Sequence, residues 1–488
     1  MANEEIKRVA KPPGGRRKWT FIIVVVALVL IVCGYFVGSQ LLNRPVDYSD
    51  IREHFKYGSI GSEPVNGIPY WIWKVLPEMF PEKLPGKGYA SLGFLVEPGK
   101  DTPIGFSQRT VFVNRAGLNC AVCHTGTYRE SESSQPTIVL GMPAIKLDLQ
   151  GYINFLTDCA LDPRFSPQYM IPAIEAIGGK LNFFERFIYQ NIAIYQTRDA
   201  LIAQGKQLEL LRAHRWGAGR VDTFNPYKAL KFYFPMDKLP PEELIGAADL
   251  PSIWNQEPRE GMQLHWDGNN TVVQERNKSA ALGAGVTPTS IDLPRLKRIE
   301  DWLRLLPAPK YPFPIQKDLA AKGEPIYGQY CAACHAFGGA KVGTVTPIDE
   351  IGTDVYRLNS YTYEFLSNQN TLYAGYPWRF QHFRKTNGYA NQPLDGIWLR
   401  APYLHNGSVP TIRALLEPVE NRPGKFYRGY DVFDQKNVGF VSDVPEENGY
   451  RYSLYDTTVP GNANTGHLYG TGLSPEQKEA LVEYMKTL

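Results

Sequence analysis

Cys120-Ala-Val-Cys123-His124 and Cys331-Ala-Ala-Cys334-His335 are the two stretches whose reading decides this chain. Both are C-x-x-C-H, the attachment pattern of c-type haem. The spacing has a physical reason. Two Cys three positions apart project from one side of a helical turn and can form thioethers with both vinyl groups of a haem. The His that follows then faces the iron as its proximal ligand. A zinc reading would leave two distant C-x-x-C pairs, each with a His in the same frame, to chance. A disulfide reading would give neither His a purpose. The sequence therefore predicts two covalently bound haem c groups, held by Cys120, Cys123, Cys331 and Cys334, with His124 and His335 on the irons.

Two of the six cysteines remain. Cys159, in NFLTDCALDP, has no partner and is expected to be a buried, inert thiol. Cys33 lies in the stretch Trp19 to Asn43, which contains no Asp, Glu, Lys, Arg or His. Its apolar heart, Phe21 to Val37, would cover about 26 Å as a helix. That length predicts a transmembrane anchor over 19–43. Residues 1–18 form a basic tail of net charge +4, which leaves −1 for the rest of a +3 chain. Basic residues ahead of the apolar run predict a cytoplasmic N-terminus. The remainder would then lie in the periplasm, as a single-pass protein of the inner membrane. No small-residue cleavage site follows the run, which speaks against a removed signal peptide. A body of net charge −1 gives no reason to expect nucleic acid.

At 488 residues the chain can hold several domains, and its 38 Pro and 44 Gly predict many loops and short helices. Leu296, Ile299, Trp302, Leu303 and Leu306 recur at helical spacing, with Asp292 as the cap and Pro307 as the stop. PAPKYPFPI at 307–315 has four prolines and reads as an extended linker. Lys317–Tyr330 predicts a helix running straight into the second motif. Ser474-Pro475-Glu476-Gln477 opens a last helix with a cap and a first-turn Pro. The expected fold is mainly α with extensive loops, two cytochrome c-like haem domains behind the transmembrane helix. The domains fall at 46–306, with long insertions around the first motif, and at 316–488.

Three further segments resemble one superfamily. They are His265-Trp266-Asp267-Gly268, Ala401-Pro402-Tyr403-Leu404-His405-Asn406-Gly407-Ser408 and Gly466-His467-Leu468-Tyr469-Gly470. Their order around the two haem motifs resembles the bacterial di-haem cytochrome c peroxidases and their relatives, among them the methylamine dehydrogenase maturation enzyme and the haem-c rubber oxygenases. The third segment is most similar to the rubber-oxygenase branch. The resemblance covers about 110–488. It implies that His467 ligates the second iron and that Trp266 relays electrons between haems, while His405 belongs to the region between them. This chain departs from the peroxidase pattern. Arg276, Val286 and Val419 stand where the peroxidases carry a Gln, a Glu and a Met ligand.

Other assignments stay open on the residues alone. His265 either caps the first iron or lines its pocket. Arg276 either donates to bound oxygen or peroxide, or pairs with a haem propionate. Trp266 is a relay or a core aromatic. Met170, Met236 and Met262 are candidate ligands, though Met is normally core filler. Two functions follow. One is an oxidoreductase using oxygen or peroxide at the first haem, with Trp266, Arg276 and His265 as its catalytic residues and the second haem as relay. The other is an electron-transfer cytochrome with both irons six-coordinate. Expected partners are the inner membrane, through the N-terminal helix, and a redox protein or small oxidant.

Overall fold

A computed structural model describes residues 15–41 and 44–488. Most of the basic tail therefore lies outside the described residues. The chain is helix and loop with small sheets.

Helix α1 spans Gly15–Leu41, and its side chains are described over 19–34. Among the described residues, no helix is long and apolar enough to cross a membrane. This corrects the expected transmembrane anchor over 19–43. The single-pass inner-membrane placement that was inferred from it falls too.

The lead into the first motif is a sheet that the sequence did not announce. Strands β1 (Arg44–Pro45) and β2 (Ile68–Pro69) flank a hairpin of β3 (Phe106–Val111) and β4 (Val113–Leu118). Its turn places Leu118 two residues before Cys120. The loop Asn119 side chain accepts from Ala121 N–H at 3.0 Å and donates to the Gly58 carbonyl at 3.0 Å. The motif is thus pinned to the preceding helical segment by one amide. A core of aromatic rings, Trp73, Tyr89, Phe94, Phe106 and Tyr152, fills the space behind. Cys159 is fully buried in it, as expected of an inert thiol.

Two further strands, β5 (Arg220–Asp222) and β6 (Ala247–Asp249), pair antiparallel, as do β7 (Val345–Pro347) and β8 (Gly388–Ala390). Helix α2 (Val273–Gly283) carries Arg276 and Asn277. Helix α3 (Leu293–Leu305) starts at Asp292, whose carboxylate caps Arg295 N–H. It buries Leu296, Ile299 and Leu303 against a cluster that includes Cys120.

Residues 306–316 have no regular structure. They are nonetheless fixed in place. Trp398 Nε1 donates to the Pro309 carbonyl at 2.8 Å, and Tyr311 and Phe313 pack edge-on against the Trp398 ring. Helix α4 (Lys317–Tyr330) then leads into the second motif, and α5 (Pro475–Met485) packs across it. The crossing needs Gly323, because a Cβ there would sit 2.0 Å from the Ala480 carbonyl oxygen. Ser474 and Gln477 cap α5 reciprocally, and Glu483 reaches across to accept from Gln316 N–H at 2.6 Å.

Candidate haem sites

The two motif histidines are held alike. His124 Nδ1 donates to the Pro251 carbonyl at 2.9 Å, and His335 Nδ1 donates to the Gln392 carbonyl at 2.8 Å. Each bond fixes the ring and the tautomer and leaves Nε2 as the lone-pair donor a metal needs. Burial pushes His124 down to about 4 and also lowers His335, so both imidazoles are neutral at pH 7. No disulfide joins the four motif cysteines. Burial raises Cys120, Cys123 and Cys331 to about 12, so none is a ready thiolate nucleophile.

His467 faces His335. Their ring centres are 6.1 Å apart with 38° between the planes. Two iron–nitrogen bonds of about 2 Å, plus about 1.1 Å from each nitrogen to its ring centre, come to about 6 Å. The separation suits one iron between the two rings. Burial and the facing His335 push His467 down to about 3, again a neutral ring. Its loop is built for the approach. His467 adopts φ +49°, a region costly for a residue with a Cβ. Gly466 has φ +72°, and a Cβ on it would lie 2.3 Å from the Gly352 backbone. Arg422 holds the loop from behind, donating to the Gly466 carbonyl at 2.9 Å and the His467 carbonyl at 3.3 Å.

Around the first motif the arrangement differs. His265 also has positive φ, +64°, and its Nε2 is buried without a hydrogen-bond partner among the described residues. Burial and the charges of Arg276 and Arg357 depress its pKa. The charge of a guanidinium reaches each motif imidazole: Arg276 at His124 and Arg400 at His335. Burial lowers both guanidinium groups to about 10. Arg400 is paired with Asp395 at 2.8 Å. Arg276 pairs with no carboxylate among the described residues and donates only to Asn277 Oδ1 at 3.2 Å. A desolvated cation lacking its counter-ion is expensive, so this position suits an anion such as a haem propionate or a peroxide. The donor set, the paired rings and this cation together fit haem.

Trp266 bonds the backbone leading to the acceptor of each motif histidine. Its Nε1 donates to the Asp249 carbonyl at 2.8 Å, two residues before Pro251, which holds His124. Its own carbonyl accepts from Ala390 N–H at 2.8 Å, two residues before Gln392, which holds His335. Beside it, His405 stacks on Tyr389 with ring centres 3.8 Å apart, and the His405 carbonyl accepts from Asp249 N–H at 2.8 Å. The remaining candidates have ordinary roles. Met170 and Met236 are core residues, His54 bonds the Arg295 carbonyl, and His382 pairs with Glu275. Pro251, Gln392, Asp249 and Arg422 were not foreseen. The first three act through backbone carbonyls, which leave no mark on side-chain identity.

Comparison with known proteins bears on the second site. The chain is 32% identical over 293 residues to the uncharacterized protein y4iM of Sinorhizobium fredii (strain NBRC 101917 / NGR234), a match covering 51% of this chain and 66% of that relative. It is 24% identical over 499 positions to the uncharacterized protein y4iJ of the same organism, covering 82% and 81%. Residues 388–428 match the family described as RoxA-like, cytochrome c-like. That stretch contains β8, the Gln392 carbonyl that holds His335, His405 stacked on Tyr389, and the Arg422 that holds the His467 loop. This similarity of residues 388–428 to a RoxA-like cytochrome c points to covalently bound haem c.

Proposed function

We propose that the protein is a di-haem c-type cytochrome acting as an oxidoreductase on oxygen or peroxide. The first haem, on Cys120, Cys123 and His124, is the reactive one. The second, on Cys331, Cys334, His335 and His467, stores and relays an electron. The two haem domains are 46–306 and 316–488, joined by 307–315. The observation that carries this reading is the position of Trp266, one hydrogen bond and two residues from the acceptor of each proximal histidine.

Haem iron supplies the redox chemistry when bound; the protein residues do the rest. Pro251 and Gln392 orient the proximal rings and make them stronger donors. His467, facing His335, would hold the second haem together with it and would keep other ligands from that site. Arg276 offers N–H groups to negative charge developing on the outer oxygen of oxygen or peroxide, in a site where desolvation makes such donors effective. His265 lines the same pocket as a neutral imidazole. A redox protein or small oxidant is the outside partner.

The asymmetry between Arg276 and Arg400 favours an enzyme over a pure carrier, because among the described residues Arg276 forms no ion pair while Arg400 pairs with Asp395. Stopped-flow spectra of the reduced protein with carbon monoxide test this. Binding at one haem only, abolished together with haem attachment at Cys120 and Cys123, is the expected result. If neither haem binds carbon monoxide and peroxide is not consumed, the protein is an electron carrier.

A further inference from the structure

Glu300 is a buried carboxyl that nothing above has used. It lies on α3 beside Ile299, whose face packs into the cluster containing Cys120. It is 7% exposed, forms no ion pair within 4.0 Å, and its Oε1 has no hydrogen-bond partner among the described residues. Its charge reaches both Cys120 and Arg276. Asn277 joins these groups: it accepts from Arg276 Nη2 at 3.2 Å, donates to Gln256 Oε1 at 3.1 Å, and turns its amide towards the Glu300 carboxyl.

We propose that Glu300 is the proton-binding residue of the first haem site, taking up one proton from solvent when an external one-electron donor reduces the ferric haem and releasing it on reoxidation. The proposal rests on the first motif carrying haem, as argued above.

The charges balance. One electron converts ferric to ferrous haem, and one proton converts the Glu300 carboxylate to the acid, so the net charge of the site is unchanged. Reduction removes one positive charge beside a poorly solvated carboxylate, and at low effective dielectric that loss raises the proton affinity of Glu300. The groups facing Glu300 are Lys278 and Arg276 from α2, Lys297 and Asp301 from its own helix, and Cys120 from the motif, which attachment converts to a neutral thioether. Burial already holds Glu300 up at about 7. Arg276, at about 10, stays protonated across neutral pH and cannot exchange the proton instead. Lys297, one turn earlier and exposed, marks the nearer solvent side.

Spectroelectrochemical titration of the full holo-protein from pH 5.5 to 8.5 tests the proposal, with covalent haem content measured first. At fixed potential the reduced-to-oxidised ratio of the first haem should fall as pH rises. The limit is tenfold per pH unit, about 59 mV for one electron. The second haem should not follow. Glu300→Gln should flatten the first-haem slope, and Glu300→Asp should restore it. In the wild type, infrared difference spectra should show a protonated carboxyl band appearing with first-haem reduction, a readout that needs no variant to fold. A slope that persists in Glu300→Gln, or a wild type without that band, overturns the proposal. Absence of haem at the first motif would instead overturn the di-haem reading on which it rests.

Discussion

The imidazoles of His335 and His467 face one another with ring centres 6.1 Å apart, although 132 residues separate them in the chain. One ring is held by the Gln392 carbonyl and the other by a loop that Arg422 fastens from behind. Gln392 and Arg422 both lie in the stretch 388–428 that is similar to a RoxA-like cytochrome c.

His467→Gly should therefore open a coordination position on the second haem and shift it towards high spin in the resting optical and spin-resonance spectra. His405→Gly should leave ligation intact, because that ring is occupied in stacking on Tyr389. The reverse pair of outcomes would make His405 the ligand.

Cys120→Ser combined with Cys123→Ser should halve the pyridine-haemochrome content per chain. Haem staining of the denatured protein should persist through the second motif alone. Retention of two covalent haems would contradict attachment at 120–124.

Trp266→Phe keeps an aromatic ring and removes the N–H that meets the Asp249 carbonyl. The lost bond should cost about 1 kcal/mol of stability. Electron transfer between the haems should slow while each haem keeps its own spectrum. Unchanged transfer after rapid reduction of one haem would make Trp266 a packing residue only.

Gly323→Val should destabilise the crossing of α4 and α5, since even a Cβ would lie 2.0 Å from the Ala480 carbonyl oxygen. A cost of about 1–3 kcal/mol is expected from thermal denaturation of the holo-protein. The spectrum of the second haem should broaden or be lost before that of the first.

What the sequence determined by itself is the local chemistry. The C-x-x-C-H spacing works within one turn of backbone, so two motifs could be read with no knowledge of the fold. Helix ends were legible for the same reason: Asp292 caps α3 and Ser474 caps α5 through bonds spanning three residues. The segments around His265, His405 and His467 were visible only through resemblance. Tertiary structure decided everything that depends on two distant strands meeting. The carbonyls of Pro251 and Gln392 fix the proximal rings, and Asp249 and Ala390 bond Trp266. Any residue has a carbonyl or an N–H, so no side-chain pattern announces which of them will be used. The hairpin leading into Cys120 was unread for a similar reason, as its pairing is set by backbone register. Apolar length over 19–43 was overread as an anchor, whereas no described helix is long and apolar enough to cross a membrane. In the sequence Glu300 is one more charge on an amphipathic helix. Only the packing of α3 against the Cys120 cluster takes its carboxyl out of water and leaves its Oε1 without a hydrogen-bond partner among the described residues.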